Sequence, residues 1–359
     1  MGGWKKCSLS KVTQFGNGKR KPNGEGNIPI FGGNGALGYG SESNYDGETI
    51  IIGRVGAYCG SVYYQNKPVW VSDNALASKP KKGNNSKFLY YFLKNMDLNQ
   101  FAGGSSHPLV TQALLNSLEI KISNDENEQK AIASVLSSLD DKIDLLHRQN
   151  KTLEAMAETL FRQWFVEEAQ EDWAEGKIPD EFDYVMGSSP PGESYNETGQ
   201  GIPMFQGNAD FEFRFPKRRI FTTDPKRFAE KHDTLISVRA PVGAQNMSNE
   251  KCCIGRGVSA FRYKQSNDYY TYTYFKMKSL MEEIKQFNDT GTVFGSISKG
   301  DFEAFDVIVP PDDLVNRFQT EVKPIDDKVI SNTTQIRTLE KLRDTLLPKL
   351  MSGEVRVEI

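Results

Sequence analysis

Two short motifs have residue types that group-transfer enzymes use in their loops. Phe31-Gly32-Gly33-Asn34-Gly35 fits the F-x-G-x-G pattern of a methyltransferase cofactor loop. There, glycines let the backbone approach the cofactor between a strand and a helix. The residues that follow, Ala36-Leu37-Gly38-Tyr39-Gly40, are turn-rich and poor in helix formers, so a turn is expected instead. Ser189-Pro190-Pro191-Gly192 has the two prolines of the Asn/Asp-Pro-Pro-aromatic motif of amino-methyltransferases. It lacks both the amide or acid and the aromatic, so it cannot hold and stack an exocyclic amine, and a rigid turn is expected. The three histidines, His107, His147 and His232, have no second ligand or nucleophile nearby in sequence. Cys7, Cys59, Cys252 and Cys253 fit no zinc spacing, and free thiols in a reducing cytoplasm are expected. The chain is therefore expected to be non-catalytic, with no metal and no cofactor.

Basic clusters point to a different chemistry, contact with phosphate. They are Lys19-Arg20-Lys21, Lys79 with Lys81 and Lys82, Lys217-Arg218-Arg219, and Lys226-Arg227. Such contacts position a protein on a duplex without specifying sequence. Base edges are read by Arg, Asn, Gln or Ser carried on loops. The candidates are Asn34, Arg54 and Ser105 in the first part of the chain, and Ser189, Tyr195, Gln206, Asn208, Arg239 and Arg256 in the second. Net charge is −3 over 359 residues, but it is unevenly distributed. Residues 1–126 carry 14 Lys and Arg against 9 Asp and Glu, residues 127–175 carry 5 against 11, and residues 176–312 carry 17 against 19. The acidic middle would repel phosphate, so any nucleic acid must meet the flanking parts.

The elements that must position these residues are two globules and two long helices. In residues 1–126, short β-branched or aromatic runs bounded by Gly and Asn predict strands at 28–31, 49–52, 61–64, 69–71 and 118–122, and a helix at 88–94. A helix starting at Asn124 or Asn127 is expected next. Along it, Ile132, Leu136, Leu139, Ile143, Leu146, Asn150, Leu153, Ala157 and Leu160 step alternately by four and three, a heptad seam that needs a partner helix. Phe318, Val322, Ile325, Val329, Asn332, Ile336, Leu339, Arg343 and Leu346 repeat the spacing, and Asp140-Asp141-Lys142 recurs as Asp326-Asp327-Lys328. Asn150 and Asn332 are polar interruptions that would fix register. Trp164 and Phe165, with Phe161, suit either packing on the second globule or a partner surface. Residues 166–186 are expected to be a polar connector.

The globules are related as well. Ile28-Pro29-Ile30-Phe31 with Gly33-Asn34 returns as Ile202-Pro203-Met204-Phe205 with Gly207-Asn208, and Val55-Gly56-Ala57 returns as Val242-Gly243-Ala244. The chain is thus a tandem duplication, an α+β protein with two α/β globules and two long helices paired as an antiparallel coiled coil about a pseudo-twofold. Its expected segments are 1–126, 127–168, 169–312 and 313–359. A seam of roughly 40 Å, at about 1.5 Å per residue, is comparable to one DNA turn of about 34–36 Å. No apolar run approaches the roughly 18 residues of a membrane span. No signal peptide and no membrane association are expected.

The segments MGSSPPGESYN (186–196), GIPMFQGNADF (201–211), NEQKAIASVLSSLDDKID (127–144), LFRQWFVE (160–167) and LLPKLMSGEVRV (346–357) resemble those of type I restriction–modification specificity subunits, over nearly the whole chain. The resemblance implies target recognition domains at 1–126 and 169–312, each reading half of a split site on double-stranded DNA. It implies that the helices set the gap and hold methyltransferase (M) subunits, two of them, and restriction (R) subunits, in the cytoplasm. It leaves chemistry to those other chains. The short first domain and its Gly-rich opening depart from the pattern. So does Asp312-Asp313-Leu314-Val315, where the first helix has Asn127-Glu128-Gln129. A coiled-coil scaffold with no DNA role, or the specificity subunit of a methylation-only system, are the alternatives. A fused methyltransferase would need motifs and length that are missing.

Overall fold

The computed structural model describes residues 3–103, 108–289 and 296–358. The chain divides into two compact units, Met1–Leu145 with Arg337–Ile359, and Leu146–Ile336. In chain order the first contains β1 (Trp4–Ser8), β2 (Thr13–Asn17), β3 (Ile28–Gly32), β4 (Gly35–Gly40), β5 (Thr49–Gly53), β6 (Val62–Gln65), β7 (Trp70–Val71), β8 (Ala75–Pro80), α1 (Ser86–Asn95), α2 (Gln112–Ser117) and β9 (Glu119–Ser123), and then α3 (Glu126–Arg162) begins. The second contains the rest of α3, β10 (Ala174–Lys177), α4 (Ile178–Glu181), β11 (Phe182–Met186), β12 (Tyr195–Asn196), β13 (Ile202–Phe205), β14 (Phe221–Thr222), β15 (Phe228–Ala229), β16 (Thr234–Ser237), β17 (Gln245–Met247), β18 (Cys252–Ile254), β19 (Val258–Tyr263), α5 (Tyr270–Asp289), α6 (Lys299–Ala304) and β20 (Asp306–Val309), and α7 (Asp312–Ser352) begins there.

Topology makes the duplication explicit. An antiparallel sheet ordered β2-β8-β5-β6 in the first unit matches β11-β19-β16-β17 in the second. A parallel pair, β3 with β7, matches β13 with β18. The first strand of each copy pairs with the last, β1 with β9 and β10 with β20, and the last strand feeds a long helix. β5 and β16 are buried along their whole length, which accounts for their continuous apolar runs. Two local expectations are corrected. The cap of α3 is Asp125, whose carboxylate accepts the Asn127 N–H at 2.9 Å, so Asn127 lies inside the helix. The stretch 166–186 is largely structured: β10, α4 and β11 occupy its second half, because Gly176 and Lys177 pair with Val307 and Asp306.

The two long helices run antiparallel within each unit. In the first, Ile132 and Leu136, early in α3, share a core with Leu350 and Met351, late in α7. In the second, Ala157 and Phe161, late in α3, share one with Phe318 and Val322, early in α7. Along the seam Ile132, Leu136, Ile143, Leu146, Phe318, Val322, Val329 and Ile336 are buried, and Leu139, Leu153, Leu160, Ile325, Leu339 and Leu346 are half-buried. Phe161, Trp164 and Phe165 are buried where α3 ends in a π-turn. Phe165 lies 5.1 Å from both the Phe318 and the Tyr272 rings, so these aromatics are packing residues of the second unit. Burying each contributes roughly 1.5–3 kcal/mol.

The same helices hold the globules through polar side chains. Gln129 and Gln319, both buried, accept the Asn85 and Tyr272 amides at 2.7 and 3.1 Å, at the start of α1 and α5. Asp140 accepts Tyr91 Oη at 2.7 Å and pairs with Arg343 at 2.9 Å. Arg343 is thereby held within the first unit. Asp326, the counterpart of Asp140, accepts Thr271 Oγ1 at 3.0 Å and pairs at 2.8 Å with Arg214, both charged side chains being fully enclosed. Arg214 is in the left-handed region, at φ 66°, with its guanidinium 3.8 Å over the Tyr274 ring.

Asn150 donates to Thr333 Oγ1 at 3.2 Å and Asn332 to Gln149 Oε1 at 3.5 Å. The Oδ1 atoms of both are buried without a partner. Replacing both by Leu is therefore expected to raise stability by about 1–3 kcal/mol, a rise of roughly 2–4 °C in Tm per kcal/mol; a fall in Tm would show that the two bonds outweigh the unmet acceptors. Asp326→Ala leaves a buried guanidinium unpaired and should cost about 3–5 kcal/mol in urea unfolding, and a loss below about 1 kcal/mol would mean that the pair is not what holds Arg214 in place.

Candidate nucleic-acid interface

At one end of the main sheet of each unit, backbone hydrogen bonds tie four loops together, and the bonds recur in both copies. Gly18 N–H donates to Ala75 O at 3.2 Å, and Gly187 N–H to Val258 O at 2.9 Å. Lys19 N–H donates to Val71 O at 2.9 Å, and Ser188 N–H to Ile254 O at 3.0 Å. Ser72 N–H donates to Phe31 O at 2.8 Å, and Gly255 N–H to Phe205 O at 2.9 Å. Arg54 N–H reaches Asn74 O, and Val238 N–H reaches Gly257 O, both at 2.9 Å. Finally Val110 N–H donates to Arg54 O and Ile297 N–H to Val238 O, again both at 2.9 Å.

This frame aligns the copies residue by residue where sequence identity is faint. Arg20 corresponds to Ser189, Gly32 to Gln206, Asn34 to Asn208, Val55 to Arg239, and Asp73 to Arg256. Arg54 corresponds to Val238, so Arg54 and Arg239 lie one position out of register, and Val55, which the sequence pairs with Val242, corresponds instead to Arg239. The scaffold is shared and the side chains on it differ.

In the second unit the frame brings together several candidates. Gln206 Nε2 donates to Tyr195 Oη at 2.6 Å, and Tyr195 Oη donates to Pro190 O at 3.0 Å. Arg256 N–H lies 3.4 Å from Ser189 Oγ. Arg239 follows Val238, which is bonded to Gly257. Gln206, Arg239 and Arg256 are exposed, while Ser189, Tyr195 and Asn208 are half-buried. The approach is close: a Cβ on Gly257 would lie 2.2 Å from Gln206 O, and one on Gly187 2.2 Å from Gly255 O. Only glycine fits at these positions. In the first unit Asn34 is exposed in the β3–β4 hairpin turn and Arg54 is half-buried. Ser105 and His107 lie outside the described residues.

Comparison with known proteins decides the family. A family model described as the type I restriction modification DNA specificity domain matches residues 1–155 and 170–341. The chain belongs to the type I restriction–modification specificity family. The type I restriction enzyme MjaIX specificity subunit of Methanocaldococcus jannaschii is 27% identical over 314 residues, which are 78% of this chain and 71% of that one. The HindI specificity subunit of Haemophilus influenzae is 22% identical over 357 residues, covering 75% and 77%. The crystal structure of a type I S subunit from M. genitalium has the same fold, with a TM-score of 0.72 at 22% identity over 97% of this chain and 96% of that one. No helix among the described residues is long and apolar enough to cross a membrane.

The basic clusters of this specificity-family chain divide into engaged and open groups. Arg219 makes a two-pronged contact with Asp210 at 2.7 and 3.1 Å, and that hydrogen bonding and charge raise its pKa above the ordinary value. Arg218 pairs with Glu250 at 2.5 Å and Lys226 with Asp224 at 2.7 Å. Lys79 donates to Glu48 O at 2.8 Å and Lys81 to Ser10 O at 2.6 Å. Lys19, Arg20 and Lys21 are exposed and continue directly from the frame at Gly18 and Lys19. Lys217 is exposed as well. Spacing alone could not reveal the pairings of Arg218 and Arg219, since Glu250 and Asp210 come from other turns. His232, at φ 71°, packs tilted against the Tyr270 ring, with ring centroids 4.4 Å apart. Burial, with Lys231 nearby, lowers its pKa. His147 is exposed on α3.

The glycine contacts carry a prediction of their own. Gly257→Ala should cost about 1–3 kcal/mol of unfolding free energy through overpacking, whereas Gly207→Ala, with open space around its Cβ, should cost well under 1. Equal costs would show that the frame tolerates displacement at Gly257.

Proposed function

We propose that this chain is a non-catalytic DNA reader. Each unit contacts one half of a split double-stranded site, and the chain delivers two methyltransferase subunits and the restriction subunits to it. The observation that carries the proposal is the repeated backbone frame with different side chains at matching positions: Gly32 against Gln206, Asp73 against Arg256, Val55 against Arg239. One scaffold that displays exposed Gln206, Arg239 and Arg256 in one copy and Gly32, Val55 and Asp73 at the matching positions of the other suits a target with two unlike halves. Family membership supports the same reading. Phe31–Gly35 closes a β-hairpin and is followed by a strand, so it lacks the helix that a cofactor loop requires. The exposed Lys19-Arg20-Lys21 beside the frame supplies phosphate contacts, and the remaining frame loops supply base contacts.

Adenine methylation across the host genome, mapped with and without the gene, should lose one split motif of fixed gap. Exchanging residues 1–126 for those of a relative should alter one half of that motif and leave the other unchanged. A change in both halves would overturn the assignment of one half to each domain. Absence of salt-dependent DNA binding by the assembled complex would leave a coiled-coil scaffold as the function.

A further inference from the structure

We infer that Gln206 reads an adenine edge in the major groove, in the half-site met by the unit Leu146–Ile336, and that Tyr195 is the positioning residue that aims it. This rests on the DNA-reading function proposed above. The two ends of a glutamine amide look alike in shape, so its orientation follows from hydrogen bonding. Here it is determined. The Tyr195 hydroxyl has one proton, and Pro190 O, which can only accept, takes it at 3.0 Å. Toward Gln206 the hydroxyl must therefore accept, at 2.6 Å, and the group facing it must be the amide nitrogen. That leaves the exposed Gln206 side chain with Oε1 as an acceptor and one N–H as a donor on the same amide.

An adjacent acceptor and donor match one base in the major groove. Adenine offers N6–H as donor and N7 as acceptor, whereas guanine offers only acceptors there and cytosine only a donor. The placement is rigid. Phe205 O is held by Gly255, the Gln206 backbone passes Gly257 at a distance no Cβ would allow, and a Cβ on Gly255 would meet Gln206 Cγ at 3.0 Å. A side chain fixed at both backbone and head group loses little entropy on binding, a condition for discrimination by one amide.

The test uses the full chain purified with its methyltransferase subunits, and duplexes carrying the motif found by methylation mapping. Each adenine of the second unit's half-site is replaced singly by 7-deazaadenine, which keeps N6–H but has no N7 acceptor. At one position wild-type binding should weaken roughly tenfold, the equivalent of about 1.4 kcal/mol. Gln206→Ala should bind both duplexes of that pair equally while still reading the other half-site, which serves as the control for folding. Gln206→Glu, of equal length but with no N–H donor, should lose the same sensitivity. Tyr195→Phe should retain part of it. The inference is overturned if no adenine there depends on N7, if either Gln206 variant keeps the dependence, or if both weaken all sequences alike. Failure of the wild-type complex to bind any duplex would instead remove the DNA-reading function itself.

Discussion

An apolar stripe recurring every 3.5 residues is stable in water only against another stripe. In this chain both stripes are intramolecular, and almost every other feature is attached to them. Beside their seam, α3 and α7 carry the residues that hold the globules: Gln129 and Asp140 for the first, Gln319 and Asp326 for the second. Each helix therefore satisfies two sets of neighbours at once. Slipping one helix by a turn would unpair the stripes and also detach α1 or α5 from its anchor. The polar positions Asn150 and Asn332 add to this constraint through Thr333 and Gln149, since neither bond survives a shift of register.

The copies solve the same anchoring problem with different parts. The acid at matching positions, Asp140 and Asp326, receives a guanidinium in both. In the first it comes from Arg343 on the facing helix, and in the second from Arg214 in a loop. The facing helix offers Ala157 where Arg343 would be needed in the second copy, so the charge arrives from the globule. It is buried more deeply, beneath the Tyr274 ring, at the cost of a left-handed backbone. Duplication has kept the acid and let its partner change.

The long helices, the order of the early strands and the doubling of the chain were legible in the sequence, because heptad spacing, β-branched runs and Asp-Asp-Lys are local signals. What stayed hidden depends on distant pairing. Strand β10 has the composition of a linker, Ala-Glu-Gly-Lys, and exists because β20 pairs with it. Arg214 looks like one more surface cation until Asp326 and Tyr274 enclose it. Arg218 and Arg219 read as open charge, although Glu250 and Asp210 occupy them. The correspondence of Val55 with Arg239 could be found only by following carbonyls and amides, since the side chains at those positions have diverged too far to align.

The five bonds of the frame join main-chain atoms, so a substitution at an exposed position on them has little effect on folding. A lineage carrying this architecture can change the chemistry it displays one residue at a time while the protein persists in the cell. The two copies can drift independently, because neither contributes bonds to the frame of the other. Heritable novelty is favoured where folding does not depend on the side chain, and Gly187 and Gly257 mark places in the second copy where a side chain would meet backbone.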